Sequence, residues 1–204
     1  MPAKSTKTDP AHRIKIVAIE GSVREESFTS KVLAIAIDEI KKYPQCTLEI
    51  IDPRKITLLL PGKEGQSSQE RLKKIVTQAD GVILTTPEYH GSYSSVIKLV
   101  IDNLGYPSVL EGKPVALLGV ASGQIGAIKA LEHLRSVCAH IGAIVLPSSV
   151  SVAGVTQLFD SKGLCLNPKI EQRVRNLAKA LIEYIEHRVY PHQTQEETAR
   201  ENSR

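Results

Sequence analysis

Short, unbroken apolar runs alternate along this chain with longer segments whose apolar residues recur every three or four positions. Residues 14–19, 48–51, 81–86, 114–121 and 143–146 are runs of the first kind and predict strands. Residues 28–43, 71–79, 95–104, 125–141 and 170–185 are of the second kind and predict helices. In the first helix the periodicity puts Val32, Leu33, Ala36, Ile37 and Ile40 on one face. In the fourth it aligns Leu131, Leu134, Val137, Cys138 and Ile141, which places Cys138 in the core as a packed thiol. Each strand precedes a helix, five times over.

Strands that are apolar throughout, without alternation, are buried on both faces, which a parallel sheet with helices on each side provides. Right-handed crossovers then wind the chain both ways from its first strand. The expected fold is α/β, a flavodoxin-like doubly wound five-stranded parallel sheet of order 2-1-3-4-5. Such sheets bind ligands beyond the carboxyl ends of their strands, where the order reverses. Residues 13–187 read as a single domain. Residues 1–12 and 188–204 are polar, lack an apolar period and read as mobile tails.

Composition narrows the class. Of 204 residues, 42% are hydrophobic and 24% charged, which is globular rather than disordered. No apolar run approaches the roughly 20 residues of a membrane-spanning helix. Three scattered cysteines make neither a disulfide framework nor a metal pair, which suits a reducing, cytoplasmic compartment. The net charge of +4 is partly contributed by the N-terminal segment, where Lys4, Lys7 and Arg13 outnumber Asp9. With no basic stripe and no tryptophan, nucleic-acid binding is not expected.

Candidate chemistry therefore falls in three loops. The loop after the first strand contains Gly21, Ser22, Arg24, Glu25, Glu26, Ser27, Phe28 and Thr29 and opens a helix. A helix N-terminus with hydroxyl donors and a guanidinium suits a phosphate, although the sequence matches neither GxGxxG nor GxxxxGK[ST]. Ser27 or Thr29 as a simple helix cap is an equal reading of the same residues. The loop after the third strand contains Pro87, Glu88, Tyr89, His90, Gly91, Ser92 and Tyr93. It fits a flat aromatic ligand, or a turn whose rings cap the core. The loop after the fourth strand, with Ser122, Gly123 and Gly126, either exposes amides to a ligand's polar edge or is an ordinary strand-to-helix turn.

Taken in order, Gly21-Ser22-x-Arg24-x-x-Ser27, Pro87-Glu88-Tyr89-x-Gly91-Ser92, then Lys98 and Ile101-Asp102, then Ser122-Gly123 with Leu134-Arg135, resemble the NADPH-dependent FMN reductase family. The resemblance implies an NAD(P)H-dependent FMN or quinone oxidoreductase that uses FMN and NADPH to reduce a small-molecule electron acceptor. It implies that Ser22, Arg24, Ser27, Phe28 and Thr29 surround the FMN phosphate. It places Pro87, Glu88, Tyr89, His90 and Gly91 along the isoalloxazine, and Ser122 and Gly123 on its pyrimidine edge. It further implies a homodimer or homotetramer, with no catalytic acid or base in the protein and no metal. The helix over 94–104, following the second loop, is the surface expected to self-associate. The chain departs from the pattern at His90, where Asn is usual, and at Glu25 and Glu26, where neutral or basic residues are usual. The alternative function is an FMN-binding electron carrier or redox sensor that does not turn over pyridine nucleotide.

Overall fold

Parallel strands stack side by side at the centre of the computed structural model, which describes residues 13–63 and 68–189. They are β1 (Ile14–Ile19), β2 (Cys46–Ile51), β3 (Gly81–Tyr89), β5 (Pro114–Val120), and the pair β6 (Ile144–Val145) and β7 (Val150–Val152). A two-residue strand, β4 (Ser92–Tyr93), folds back antiparallel on the end of β3. The sheet order is β2-β1-β3-β5-β6, with β7 also pairing β5. With the short β4 set aside, and β6 and β7 taken as one interrupted strand, this is the expected order 2-1-3-4-5.

The interruption has a physical cause. After Val145 the chain leaves the ladder through Leu146, Pro147, Ser148 and Ser149 and rejoins β5 at Leu118↔Val150. Arg135 holds the detour from α4, donating to Leu146 O at 3.0 Å and to Ser149 Oγ at 2.6 Å. A proline cannot donate to a ladder, so the strand expected at 143–146 stops there and resumes beyond it.

Burial on both faces appears as strict alternation. Ile16 and Ala18 of β1, Ile83 of β3, and Ala116 and Leu118 of β5 pack beneath α1 (Phe28–Ile40) and α5 (Pro168–Tyr184). Val17 and Ile19, Val82 and Leu84, and Val115 and Leu117 face the other way. There they meet α2 (Gln69–Thr77), α3 (Ser95–Asp102) and α4 (Ile128–His140). Cys138 is fully buried in this second layer, and burial pushes its thiol up to about 12.

The helix ends follow local chemistry. Ser27 caps α1 by accepting from Thr29 N–H, and Asn167 caps α5 by accepting from Lys169 and Ile170 N–H. Helix α4 begins later than its periodicity suggests, because Gly126 takes a positive φ of 81° just before it. Asn103, buried at the end of α3, donates to Leu59 O and accepts from Leu59 N–H, fastening the segment around Leu59 to that helix. Ile97, Val100 and Ile101 of α3 are buried, so the helix expected to self-associate directs its apolar side inward. Arg188 and Val189 extend α5 in a π-helical turn (Ile185–Val189), so they do not belong to the expected tail. The other tail residues lie outside the described residues.

Between α1 and α5, Glu39 is almost fully buried and receives Lys42, Arg175 and Lys179. The Lys42 hydrogen bond first, then those cations of α5, hold its carboxyl below the ordinary value of 4.5, against the opposing cost of burial. A depressed folded pKa gives stability that is present above the unfolded value and is lost as pH falls through the folded one. Urea midpoints of wild type and Glu39→Gln are therefore expected to differ at neutral pH and to converge as pH falls below 4.5 and through the lowered folded value.

Candidate functional site

The carboxyl ends of β1, β3 and β5 open into a cleft of ≈ 220 Å³. Its lining includes Arg24, Ser27, Phe28 and Thr29 from the first loop, Pro87, Glu88 and Tyr89 from the second, and Ser122 from the third. The structure thus gathers eight of the twelve expected binding residues into one wall-to-wall site. Ser22 lies buried under the first loop, with its Oγ accepting from Arg24 N–H at 3.3 Å. Gly123 follows Ser122 but is not part of the lining. His90 and Gly91 sit beyond the cleft edge.

The first two loops are bound together by buried hydroxyls. Gly21 N–H donates to Thr85 Oγ1 at 3.1 Å, and Thr85 donates in turn to Ile19 O at 2.9 Å. Ser94 donates to Gly21 O at 2.6 Å, and Ser94 N–H donates to Thr86 Oγ1 at 2.9 Å. Thr85, Thr86 and Ser94 are essentially inaccessible to solvent, so each bond is made in a low-dielectric interior. The approach is so close that a Cβ on Gly21 would lie 1.9 Å from Thr85 O.

The first loop offers donors for an anion alongside two carboxylates, Glu25 and Glu26. It opens a thirteen-residue helix, whose N-terminus carries partial positive charge. Among the described residues no carboxylate lies within ion-pair distance of Arg24. Ser27 is the helix cap, its Oγ accepting from Thr29 N–H at 3.1 Å, which leaves its hydroxyl proton without an acceptor among the described residues. Phe28 packs against Phe159 at a centroid distance of 6.2 Å, with the Lys31 ammonium 5.2 Å from the Phe28 ring centre.

The second loop is a hairpin. Tyr89 pairs with Ser92, leaving His90 and Gly91 as a two-residue turn with φ of 49° and 72°. Two successive positive φ values mark a type I′ turn, where Asn-Gly is the favoured pair. A Cβ on Gly91 would meet nothing closer than Lys129 Cδ at 3.5 Å, so backbone conformation rather than crowding requires glycine there. The hairpin rests on α4: Glu88 Oε2 accepts from Ala130 N–H at 3.0 Å, and Ser92 Oγ lies 3.1 Å from His133 Nδ1. Glu88 thus caps a helix from another strand's end.

The third loop presents donors. Among the described residues nothing accepts from the backbone N–H groups of Ser122, Gly123, Gln124 and Ile125. The loop is held by its neighbours: Gly154 N–H donates to Gly123 O, Val155 N–H to Ala121 O, and Ala127 N–H to Ser151 Oγ. These bonds bring Val155 and Thr156 into the cleft, along with Val120 and Ala121. Sequence reasoning missed Val155 and Thr156 because it ended the fifth strand at Leu146. The available signal was the apolar-polar-apolar run Val150-Ser151-Val152 after Pro147.

A larger cavity of ≈ 430 Å³ lies between β2 and α2. Its Arg54 is bonded to Asp52 and Glu20, and the second and third loops do not reach it. The three-loop cleft is the better candidate because its cation, Arg24, and the Ser122 N–H have no partners among the described residues.

Comparison with known proteins agrees with this geometry. A family model described as NADPH-dependent FMN reductase matches residues 14–157. An NAD(P)H-dependent FMN reductase of Pseudomonas aeruginosa is 29% identical over 174 residues, covering 82% of this chain and 93% of that protein. An NADPH azoreductase of a Bacillus species is 33% identical over 177 residues, covering 85% of this chain and 96% of that protein. The solved flavoenzyme NAD(P)H:(acceptor) oxidoreductase of Paracoccus denitrificans superimposes with a TM-score of 0.69 at 23% identity. That match covers 85% of this chain and 97% of that one, and supports the fold.

Gly21→Ala is expected to destabilise the chain by at least about 2 kcal/mol in urea unfolding, since backbone must move to admit the methyl. His90→Asn is expected to stabilise it by about 0.5–1 kcal/mol, because Asn tolerates the left-handed conformation better than His. A thermal melt of each variant checks the two signs.

Proposed function

The chain belongs to the NADPH-dependent FMN reductase family, and from that premise we propose that its three-loop cleft holds FMN while NAD(P)H reduces a small acceptor such as a quinone. Bound there, FMN would supply the two-electron hydride chemistry. The residues of this chain bind and orient. Arg24, the hydroxyls of Ser27 and Thr29, and the N-terminus of α1 hold the phosphate, while Ser22 supports the loop from beneath through its bond to Arg24 N–H. Pro87 and Tyr89 form the wall for the ring. The free amides of Ser122 and Gly123 donate to the ring's carbonyl and nitrogen edge. Glu88 acts at one remove, fixing the hairpin on α4.

The observation that carries this reading is Arg24, without an ion-pair partner among the described residues, at a helix N-terminus in the same cleft as Ser122, whose backbone N–H has no acceptor among them. A phosphate and a heteroaromatic edge are the two ligand features these groups match. No side chain has to act as acid or base.

Among the described residues no helix is long and apolar enough to cross a membrane. The proposed setting is the cytoplasm, and the proposed assembly is a homodimer or homotetramer. Tyr89, Ile125 and Ile128 are exposed large apolar residues at the ends of the second and third loops. That rim replaces α3 as the surface for self-association. Light scattering is expected to give a mass of at least twice 22.3 kDa at micromolar concentration.

Arg24→Ala is expected to weaken FMN binding roughly tenfold to a hundredfold, the worth of one charge-assisted hydrogen bond to phosphate. Unfolding should be unchanged, since Arg24 forms no ion pair within the fold. Flavin fluorescence titration measures the first and urea denaturation the second. Unchanged FMN affinity would remove Arg24 from the site and move the phosphate off the first loop.

A further inference from the structure

Arg24, Glu25 and Glu26 follow one another in the first loop, and all three line the cleft. Among the lining residues Arg24 is the cation, while Glu25, Glu26 and Glu88 carry carboxylates. Glu88 is engaged with the α4 amide. Glu25 is close enough to Arg54 to raise that guanidinium's pKa, but Arg54 is already bonded to Asp52 and Glu20. Glu26 has no ion-pair partner among the described residues. Its backbone is held at a φ of 49°, a conformation that non-glycine residues seldom adopt.

We propose that Glu25 and Glu26, with Glu26 the larger contributor, weaken the hold of this loop on the FMN phosphate, so that FMN exchanges with solution instead of staying as a fixed prosthetic group. This rests on the reading that the phosphate lies on the first loop. A phosphate monoester carries about −1.5 to −2 charges at neutral pH. Against it the loop offers one guanidinium and roughly half a charge from the helix N-terminus. Two carboxylates in the same loop exceed that positive charge before the phosphate arrives. Glu25 is partly offset by Arg54, whereas Glu26 is not. The repulsion acts through water at an open cleft, so it changes affinity by a modest factor and is screened by salt. Riboflavin, which has the same ring and no phosphate, does not experience it.

The experiment is flavin fluorescence titration of the full chain with FMN and, separately, with riboflavin, at low and at high sodium chloride. The proteins are wild type, Glu26→Gln, Glu25→Gln/Glu26→Gln and Arg24→Ala. Glutamine keeps the side-chain length and the backbone strain, so charge alone changes. At low salt, Glu26→Gln is expected to tighten FMN about threefold and the double variant about four- to eightfold, with riboflavin unchanged. High salt should shrink both gains. If Arg24→Ala weakens FMN but the double variant does not tighten it, this proposal is overturned and the phosphate reading stands. If the double variant tightens riboflavin as much as FMN, the carboxylates act on loop shape and the proposal is again overturned. If Arg24→Ala leaves FMN unaffected and wild type binds FMN and riboflavin equally, the phosphate reading falls, and this inference falls with it.

Discussion

The buried hydroxyl network between the ends of β1 and β3 is the constraint on which the rest of the site depends. Thr85, Thr86 and Ser94 have no access to solvent, so their hydroxyls must bond within the fold. Thr85 and Ser94 do so across the two loops, reaching Ile19 O and Gly21 O, while Thr86 donates to its neighbour Pro87 O and accepts from Ser94 N–H. Gly21 is the partner that permits it, because only a residue without Cβ can bring the first loop onto the β3 backbone. The relation between a phosphate site and a ring site is thereby set by the interior rather than by the flexible surface of either loop.

Helix α4 supplies the second half of the frame. Its first turn receives Glu88 from the second loop, and the residue before it donates to Ser151 from β7. Further along, His133 meets Ser92 of the hairpin, and Arg135 holds the break in the fifth strand. One helix therefore aligns the second loop, the third loop and the 150–156 segment. This explains how a cleft built from loops can be geometrically definite. It also changes the role of Glu88, which serves the scaffold through a helix amide.

The chemistry of the cleft follows from what is left unpaired. The Arg24 guanidinium, the hydroxyls of Ser27 and Ser122 and the Ser122 N–H are donors around a space with the exposed Tyr89 at its edge, and the Glu25 and Glu26 carboxylates stand beside them. Such a set recognises an anionic, acceptor-rich flat ligand. It contains no pair of titratable groups poised for proton transfer. That combination fits a protein whose cofactor carries the reaction and whose residues hold that cofactor in place.

The five apolar runs and the helical periods were sufficient to determine the layered α/β sheet and its winding. Those features arise from burial on two faces, a property local patterning records directly. Strand β1 was legible to the residue, from Ile14 to Ile19, and the three strand-end loops were located correctly from the switch-point rule alone. The family resemblance likewise rested on residues readable in order along the chain. Other features needed the tertiary structure because they depend on pairs distant in sequence. The Gly21–Thr85 contact spans sixty-four positions and the Glu88–Ala130 bond forty-two. The resumption of the fifth strand at Val150 depends on Arg135 and on the open edge of β5, neither of which is visible in the run that Pro147 ends. The entry of Val155 and Thr156 into the cleft follows from that resumption. His90 and Gly91 were legible as loop residues, but only the two-residue hairpin shows that they form a turn of positive φ. Local pattern determined which surfaces are buried; long-range packing decided which polar groups remained free to bind.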